Sequence, residues 1–213
     1  MSDFDFDDFE SLSESEVLEV AEPQLVIVQE KPTQLGEPDV PVPKHTIPNF
    51  ARPGTTNRIL TDYREIMRFK EPLLEVTLSP NNCYIWTALL KGFDVTDKGA
   101  PLTVGLSQLN LPGVELEIRF SPDYPMSPPF FRVVKPIFKQ QTGHTTFAGA
   151  ICHEVLSPSG WRPSVSILQI LLDLRISFID GGARIDSQQQ LHRYNYQAAI
   201  AGYETAIRAH GWK

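Results

Sequence analysis

The features that mark secreted, metal-binding and membrane proteins are missing from this chain of 213 residues. Its two cysteines, Cys83 and Cys152, are too few for a disulfide framework or a four-cysteine metal site. Its five histidines include no pair with the spacing of a common zinc motif. No run approaches the roughly 18 apolar residues of a membrane span, and no basic, then apolar, N-terminal signal is present. We therefore expect no metal, no membrane contact and a reduced cytoplasmic or nuclear compartment.

A basic stripe is also missing, which argues against a nucleic-acid partner. The formal net charge of -7 is unevenly distributed along the chain. Residues 1–22 hold nine acidic residues and no basic one, whereas the rest of the chain carries 17 acids and 19 bases. The net charge therefore belongs to the N-terminal segment, and the remainder is close to neutral.

The first 54 residues do not have the pattern of a folded domain. Residues 1–22 interleave Phe4, Phe6 and Phe9 with aspartates, a pattern typical of a disordered segment that folds on a partner. A tail that only improves solubility fits equally well. Residues 23–54 contain seven prolines and predict an extended linker. The globular domain is then expected to span residues 55–213.

The periodicity of the remaining chain predicts an α+β fold, an antiparallel sheet flanked by helices. A helix is expected over residues 55–70, followed by two strands joined by a hairpin at residues 79–82. Strands over 114–120 and 130–134 flank the proline-rich crossing "SPDYPMSPPF", and residues 94–112 form a long connection. A buried helix begins at Pro163 as its first residue, and a last helix covers 195–210.

The stretch "GHTTFAGAICHEVLSPSGW" places one of the two cysteines in a loop rich in small residues. This pattern alone allows three roles for Cys152: a structural thiol, a metal ligand or a nucleophile. Cys83 begins an apolar strand and is predicted to be a small core residue. Trp161 at the entry to the buried helix is predicted to serve packing.

This order of elements resembles the ubiquitin-conjugating enzyme family. A helix, a four-strand meander, "FSPDYPMSPPF" and "GAIC" with a tryptophan downstream follow the family's pattern from about Asn57 to the C-terminus. The stretch around Cys152 and the terminal "AHGWK" are most similar to the Q subfamily. The resemblance implies a ubiquitin-conjugating-enzyme-like fold, with a four-stranded antiparallel meander flanked by an N-terminal, a central buried and a C-terminal helix.

The resemblance also implies the chemistry and the partners. Cys152 would accept ubiquitin or a ubiquitin-like modifier as a thioester from an activating enzyme and pass it to lysine. ATP would be consumed by the activating enzyme, so no cofactor is expected here. Gly149 and Ala150 would let the modifier's extended tail approach the sulfur. The activating enzyme would meet the first helix, and a ligase is a further possible partner; the basic residues of that helix are Arg58, Arg64, Arg68 and Lys70.

One departure from the family concerns the loop before the cysteine. The family's His-Pro-Asn triplet is absent, and residues 142–146 read Thr-Gly-His-Thr-Thr. His144 would support this loop, or donate to an oxyanion, or act as a base. His153 would tune the thiol or face solvent. Asp180 is the candidate acceptor-side acid, and the missing triplet suggests hydroxyl acceptors as well as lysine.

Two other functions remain open on the sequence. A catalytically inactive ubiquitin-conjugating-like variant would act as a binding module and form no thioester. A cysteine hydrolase would pair Cys152 with His144, and it would need a third residue to orient the histidine.

Overall fold

The computed structural model describes residues 47–189 and 192–212. The predictions for the acidic tail and for most of the linker lie outside the described residues, so the division into tail, linker and catalytic domain stays a prediction. Within the described ranges no helix is both long and apolar enough to cross a membrane. The same residues contain no group of three or more histidine, cysteine, aspartate or glutamate side chains placed to hold a metal ion.

The sheet is a four-stranded antiparallel meander, in the order β1-β2-β3-β4. Its strands are β1 (Leu74–Ser79), β2 (Asn82–Leu90), β3 (Val114–Arg119) and β4 (Phe130–Lys135). The alternation in β3 is confirmed, since Val114, Leu116 and Ile118 are fully buried. The opposite side of β3 carries Glu115 and Glu117, which pair with lysine and arginine side chains. The fold class predicted from the sequence is therefore confirmed.

Helices cover the inner face of this sheet. Helix α1 (Pro53–Arg68) begins with a proline at its first turn and buries Ile59, Tyr63 and Ile66. Arg52 is its N-cap residue and makes no side-chain cap bond. Trp86, in the middle of β2, packs edge-on against Tyr63 and Phe120 and is completely buried.

The connection between β2 and β3 contains two helices that the sequence pattern did not reveal. Helix α2 (Phe93–Thr96) and helix α3 (Pro101–Gln108) are short, and each lacks a side-chain cap. Arg175 holds this segment, because its guanidinium donates to the carbonyl oxygens of Lys91 and Gly92, both at 2.6 Å. Short helices of this kind are stabilised by such tertiary contacts more than by their own periodicity.

The central helix α4 (Ile167–Asp180) starts four residues later than predicted. Ser166 is its N-cap, with its hydroxyl accepting from the Gln169 N–H, so Pro163 lies in the preceding turn. The predicted apolar stripe is confirmed; Ile167, Leu171, Leu174 and Phe178 are all buried. The exposed residues of α4 are confined to one side, along Gln169, Asp173, Ile176 and Asp180, so the helix is buried or half-buried on its other sides, as predicted.

Helix α5 (Tyr196–His210) lies over the loop that carries Cys152, and its buried residues are small. Asn195 caps it, and Ala199 and Gly202 are buried against Ala148 and Ala150. The larger apolar and aromatic side chains of α5, Tyr196, Ile200, Tyr203 and Ile207, are only half-buried. A Cβ added at Gly202 would lie 2.9 Å from the Thr146 hydroxyl oxygen. The missing side chain is therefore what allows α5 to approach the loop closely.

Candidate active site

The loop before Cys152 folds back on itself and brings His144 opposite the cysteine. The Cys152 N–H donates to the His144 carbonyl oxygen at 2.8 Å, and the Thr146 N–H donates to the Ala150 carbonyl oxygen at 2.8 Å. His144 itself has a left-handed backbone with φ of 50°. The loop is also tied to the end of α4, since the Gly143 N–H donates to the Gly181 carbonyl at 2.8 Å. Backbone bonds thus set the distance between His144 and Cys152.

The small residues before the cysteine are used for packing. Gly149 has φ of 85°, and a Cβ there would lie 2.5 Å from the ring of Tyr194. Ala150 is fully buried beneath α5. Both residues are thus needed for the packing of Tyr194 and α5 against the loop, and the expectation that they let a modifier's tail approach the sulfur stays a prediction.

Cys152 opens onto a cleft of about 470 Å³. The thiol is half-buried and free, whereas Cys83 is completely buried in the core, as predicted. The cleft brings together residues from four parts of the chain, the loop, the turn after the cysteine, the end of α4 and the C-terminus: Gln141, His144, Thr145, Cys152, His153, Glu154, Gly181, His210 and Trp212. The cleft therefore surrounds one thiol with polar and aromatic residues.

The C-terminus forms one side of this cleft. Gly211 has φ of 69° and ends α5, and the Trp212 N–H then donates back to the Ile207 carbonyl at 3.1 Å. His210 and Trp212 stack with ring centroids 4.5 Å apart. This turn aims both rings at the cleft of Cys152.

The residues of the site affect one another's protonation. Burial raises the pKa of the Cys152 thiol above its ordinary value. Burial also lowers the pKa of His153, with a smaller contribution from His144, while Asp173 and Glu154 oppose the change. The hydroxyl of Tyr203 donates to the Leu156 carbonyl at 2.6 Å. Burial, and then the nearby thiolate of Cys152, raises the pKa of Tyr203 to about 12.

The raised thiol pKa predicts a steep pH dependence of alkylation. Only the thiolate attacks iodoacetamide, so the rate at Cys152 is expected to rise about tenfold per pH unit between about pH 6 and pH 8. Cys83 is expected to stay unmodified because it has no exposed surface. Peptide mapping by mass spectrometry over a time course measures both rates. A rate that levels off near neutral pH would contradict the prediction, because it would mean that the site stabilises the thiolate.

Comparisons with known proteins agree with the family that the sequence resembles and with its fold. Residues 113–210 match the family model described as "Ubiquitin-conjugating enzyme". The chain is 27% identical over 180 residues to a Q-like ubiquitin-conjugating enzyme protein of Drosophila melanogaster, over 81% of this chain and 55% of that protein. It is 25% identical over 158 residues to a Q-like ubiquitin-conjugating enzyme protein of Mus musculus, over 72% of this chain and 95% of that protein. The chain belongs to the ubiquitin-conjugating enzyme family.

Its relatives place this ubiquitin-conjugating enzyme family member near the Q-like proteins, as the motif around Cys152 predicted. A crystal structure titled as a ubiquitin conjugating enzyme from Plasmodium falciparum is similar to it with a TM-score of 0.46 and 21% identity. That similarity covers 58% of this chain and 96% of the other chain. Family membership implies ubiquitin, an activating enzyme and ligases as partners in general.

The structure separates the predicted site residues of this family member. His144 lines the cleft with Cys152, as the spacing suggested. Asp180 is the last residue of α4 and is exposed; it does not line the cleft, although Gly181 beside it does. The acid that lines the cleft is Glu154. Glu154 lies in the short 3-10 turn after the cysteine, and the sequence pattern did not predict it as a site residue.

The predicted basic surface of α1 is smaller than expected. Arg58 is turned inward, where its guanidinium pairs with Asp62 and donates to the carbonyls of Pro163 and Val165. Arg64 is half-buried, and Arg68 and Lys70 are exposed. Of these four basic residues, Arg64, Arg68 and Lys70 are therefore the ones accessible for a contact with an activating enzyme. Trp161 is buried and donates its indole N–H to the Pro125 carbonyl at 2.7 Å, which confirms its packing role.

Proposed function

We propose that this chain is a ubiquitin-conjugating enzyme that carries ubiquitin, or a ubiquitin-like modifier, as a thioester on Cys152. The observation that carries the proposal is the free, half-exposed thiol at the wall of a cleft that also holds three histidines and one carboxylate. Transthiolation needs an accessible sulfur and a groove for the acyl group, and the cleft offers both. ATP is consumed by the activating enzyme, and this chain needs no cofactor.

The proposed acceptors are lysine amines and also hydroxyl groups. A hydroxyl is a weaker nucleophile than an amine at neutral pH, so it needs a base within reach. His144 is suited to that role because its main chain braces the loop while its side chain lines the cleft. Glu154 replaces Asp180 as the proposed acid that receives a lysine ammonium.

Two further functions are less well supported. A cysteine hydrolase would need His144 to be oriented by a third side chain, and no hydrogen bond to its ring occurs within the described residues. A long helix commonly starts at such a nucleophile, whereas a three-residue 3-10 turn follows Cys152. An inactive binding variant would differ from the enzyme only in that it forms no thioester.

A charging assay tests the proposed function. The protein is incubated with activating enzyme, ATP and ubiquitin, then run on a gel with and without reductant. We expect an adduct that reductant removes. If neither ubiquitin nor a ubiquitin-like modifier forms one, the chain is a binding module.

Discharge of the purified thioester then tests the acceptor class. We expect transfer to free lysine and also to serine, threonine or a sugar. Hydroxylamine at neutral pH cleaves the ester products and spares the amide, which identifies the acceptor atom. Transfer to lysine alone would overturn the hydroxyl proposal and leave the conjugating activity intact.

A further inference from the structure

The side chain of His153 is oriented by a hydrogen bond at the cleft of Cys152. His153 follows Cys152 directly and is the N-cap of the 3-10 turn Glu154–Leu156. Its Nδ1 accepts a hydrogen bond from the Val155 N–H at 3.3 Å. His153 is also one of the residues that line the cleft of Cys152.

This hydrogen bond decides which nitrogen carries the proton. An imidazole nitrogen that accepts from a backbone N–H has no proton of its own, so the neutral ring must be protonated on Nε2. Burial of the ring keeps its pKa below the ordinary value, which favours this neutral form at pH 7. His153 therefore presents an Nε2–H donor and has no free lone pair with which to act as a base.

The thioester reaction creates a need for such a donor. The acceptor's nitrogen or oxygen attacks the thioester carbonyl carbon, and the carbonyl π electrons move to the oxygen, which becomes negative. When the intermediate collapses, the C=O bond re-forms, the C–S bond breaks and the sulfur leaves as the Cys152 thiolate. The proton lost by the nucleophile goes to a base, for which His144 is proposed. Donors aimed at the transient oxyanion lower this barrier.

Three donors of the loop before the cysteine and of Cys152 itself are less suited to the oxyanion. The backbone N–H of Cys152 is already bonded to the His144 carbonyl at 2.8 Å. The Thr145 hydroxyl donates to the Thr142 carbonyl at 3.1 Å. Gln141 lines the cleft, but within residues 47–189 and 192–212 no hydrogen bond orients its amide.

We propose that the Nε2–H of His153 donates to the oxyanion formed on the carbonyl bonded to Cys152, which makes His153 a catalytic residue. This inference rests on the proposed function, since it concerns the thioester of the same cysteine. The residue next to the nucleophile moves with it, so the donor stays near the carbonyl whatever acceptor attacks.

Two substitutions separate this role from a structural one. His153→Asn places an amide oxygen near the position of Nδ1, which keeps the cap on Val155 but removes the distal donor. His153→Gln places an amide N–H near the position of Nε2 and gives up the cap. We expect single-turnover discharge onto lysine to slow by about 10²–10³-fold in His153→Asn. In His153→Gln we expect it to stay within about tenfold of the parent rate.

The outcomes of this experiment are distinct. The reverse pattern, with a fast His153→Asn and a slow His153→Gln, would show that the cap alone matters. Equal and large losses in both variants would assign His153 as a base, and parent rates in both would leave the oxyanion to main-chain N–H groups; either result overturns the proposal. Because each variant is charged first and its thioester quantified, a parent protein that forms no thioester refutes the proposed function instead.

Discussion

Cys152→Ala is expected to abolish the ubiquitin adduct completely, whereas Cys83→Ala leaves it in place. The physical reason is access. Cys152 opens onto the cleft, while Cys83 has no exposed surface and could meet a thioester only if the core opened. The measurement is the charging gel run with and without reductant, at equal protein concentrations.

A third variant tests the nature of the bond. Cys152→Ser is expected to charge slowly, because a hydroxyl is far less ionised than a thiol at neutral pH, and to give an oxyester that reductant does not cleave. Thermal unfolding of Cys152→Ala should match the parent, because the side chain is small and half-exposed. An adduct that persists in Cys152→Ala would place the reactive group elsewhere in the chain.

The largest expected loss of stability follows from removing Arg58. Its guanidinium donates two bonds of 3.0 Å to the Asp62 carboxylate and two more to the Pro163 and Val165 carbonyls. Tyr124 also donates to Asp62, so α1 is joined to the proline-rich crossing and to the turn before α4. Arg58→Met leaves a buried carboxylate without its cation. We expect the free energy of unfolding to fall by about 3 kcal/mol at pH 7.

The size of this loss depends on burial, which a matched variant tests. The Asp62 side chain is only 5% exposed and that of Arg58 is 27% exposed, which places the loss at the lower end for a buried pair. Arg52 pairs with Asp123 at 2.7 Å, but these side chains are 65% and 58% exposed. Arg52→Met is expected to change the free energy of unfolding by less than about 0.5 kcal/mol. Equal losses in urea titrations of both variants would contradict the role given to burial.

The loss in Arg58→Met should also depend on pH. Burial raises the pKa of Asp62, and hydrogen bonds from Tyr124 and Arg58 partly oppose this. Without Arg58, the pKa of Asp62 in the folded state rises further above its value in the unfolded chain. The folded variant then binds the Asp62 proton more tightly than the unfolded chain does. The loss of stability is therefore absent at pH values below the unfolded-state pKa, and it grows as the pH rises through the folded-state pKa. The destabilisation measured at pH 7 should therefore exceed that at pH 5.

The same variant separates stability from partner binding. If Arg58 contacted the activating enzyme, Arg58→Met would slow charging at temperatures where the protein is fully folded. Because its guanidinium is bonded within the domain, we expect charging under those conditions to stay near the parent rate. The exposed basic side chains are those of Arg68, the last residue of α1, and of Lys70 just beyond it.

Strong local patterns explain which elements could be predicted. The alternation in β3, the hairpin between β1 and β2 and the apolar stripe of α4 each repeat over enough residues to specify their own structure. Helices α2 and α3 were missed because they are short and are held by contacts such as those of Arg175. The start of α4 was misplaced because Pro163 and Ser166 both suit a helix start, and only the latter caps it.

The meander, the core and the candidate nucleophile could be predicted from the amino-acid sequence, because they depend on periodicity and on a motif contiguous in the chain. The surroundings of that nucleophile depend on the packing of distant elements. His210 and Trp212 meet Cys152 at the cleft because α5 packs through Gly202 onto the loop before the cysteine. Asp180 is excluded from the cleft by its position at the exposed end of α4. Contacts between residues distant in the chain depend on how helices pack, and no local pattern records that packing.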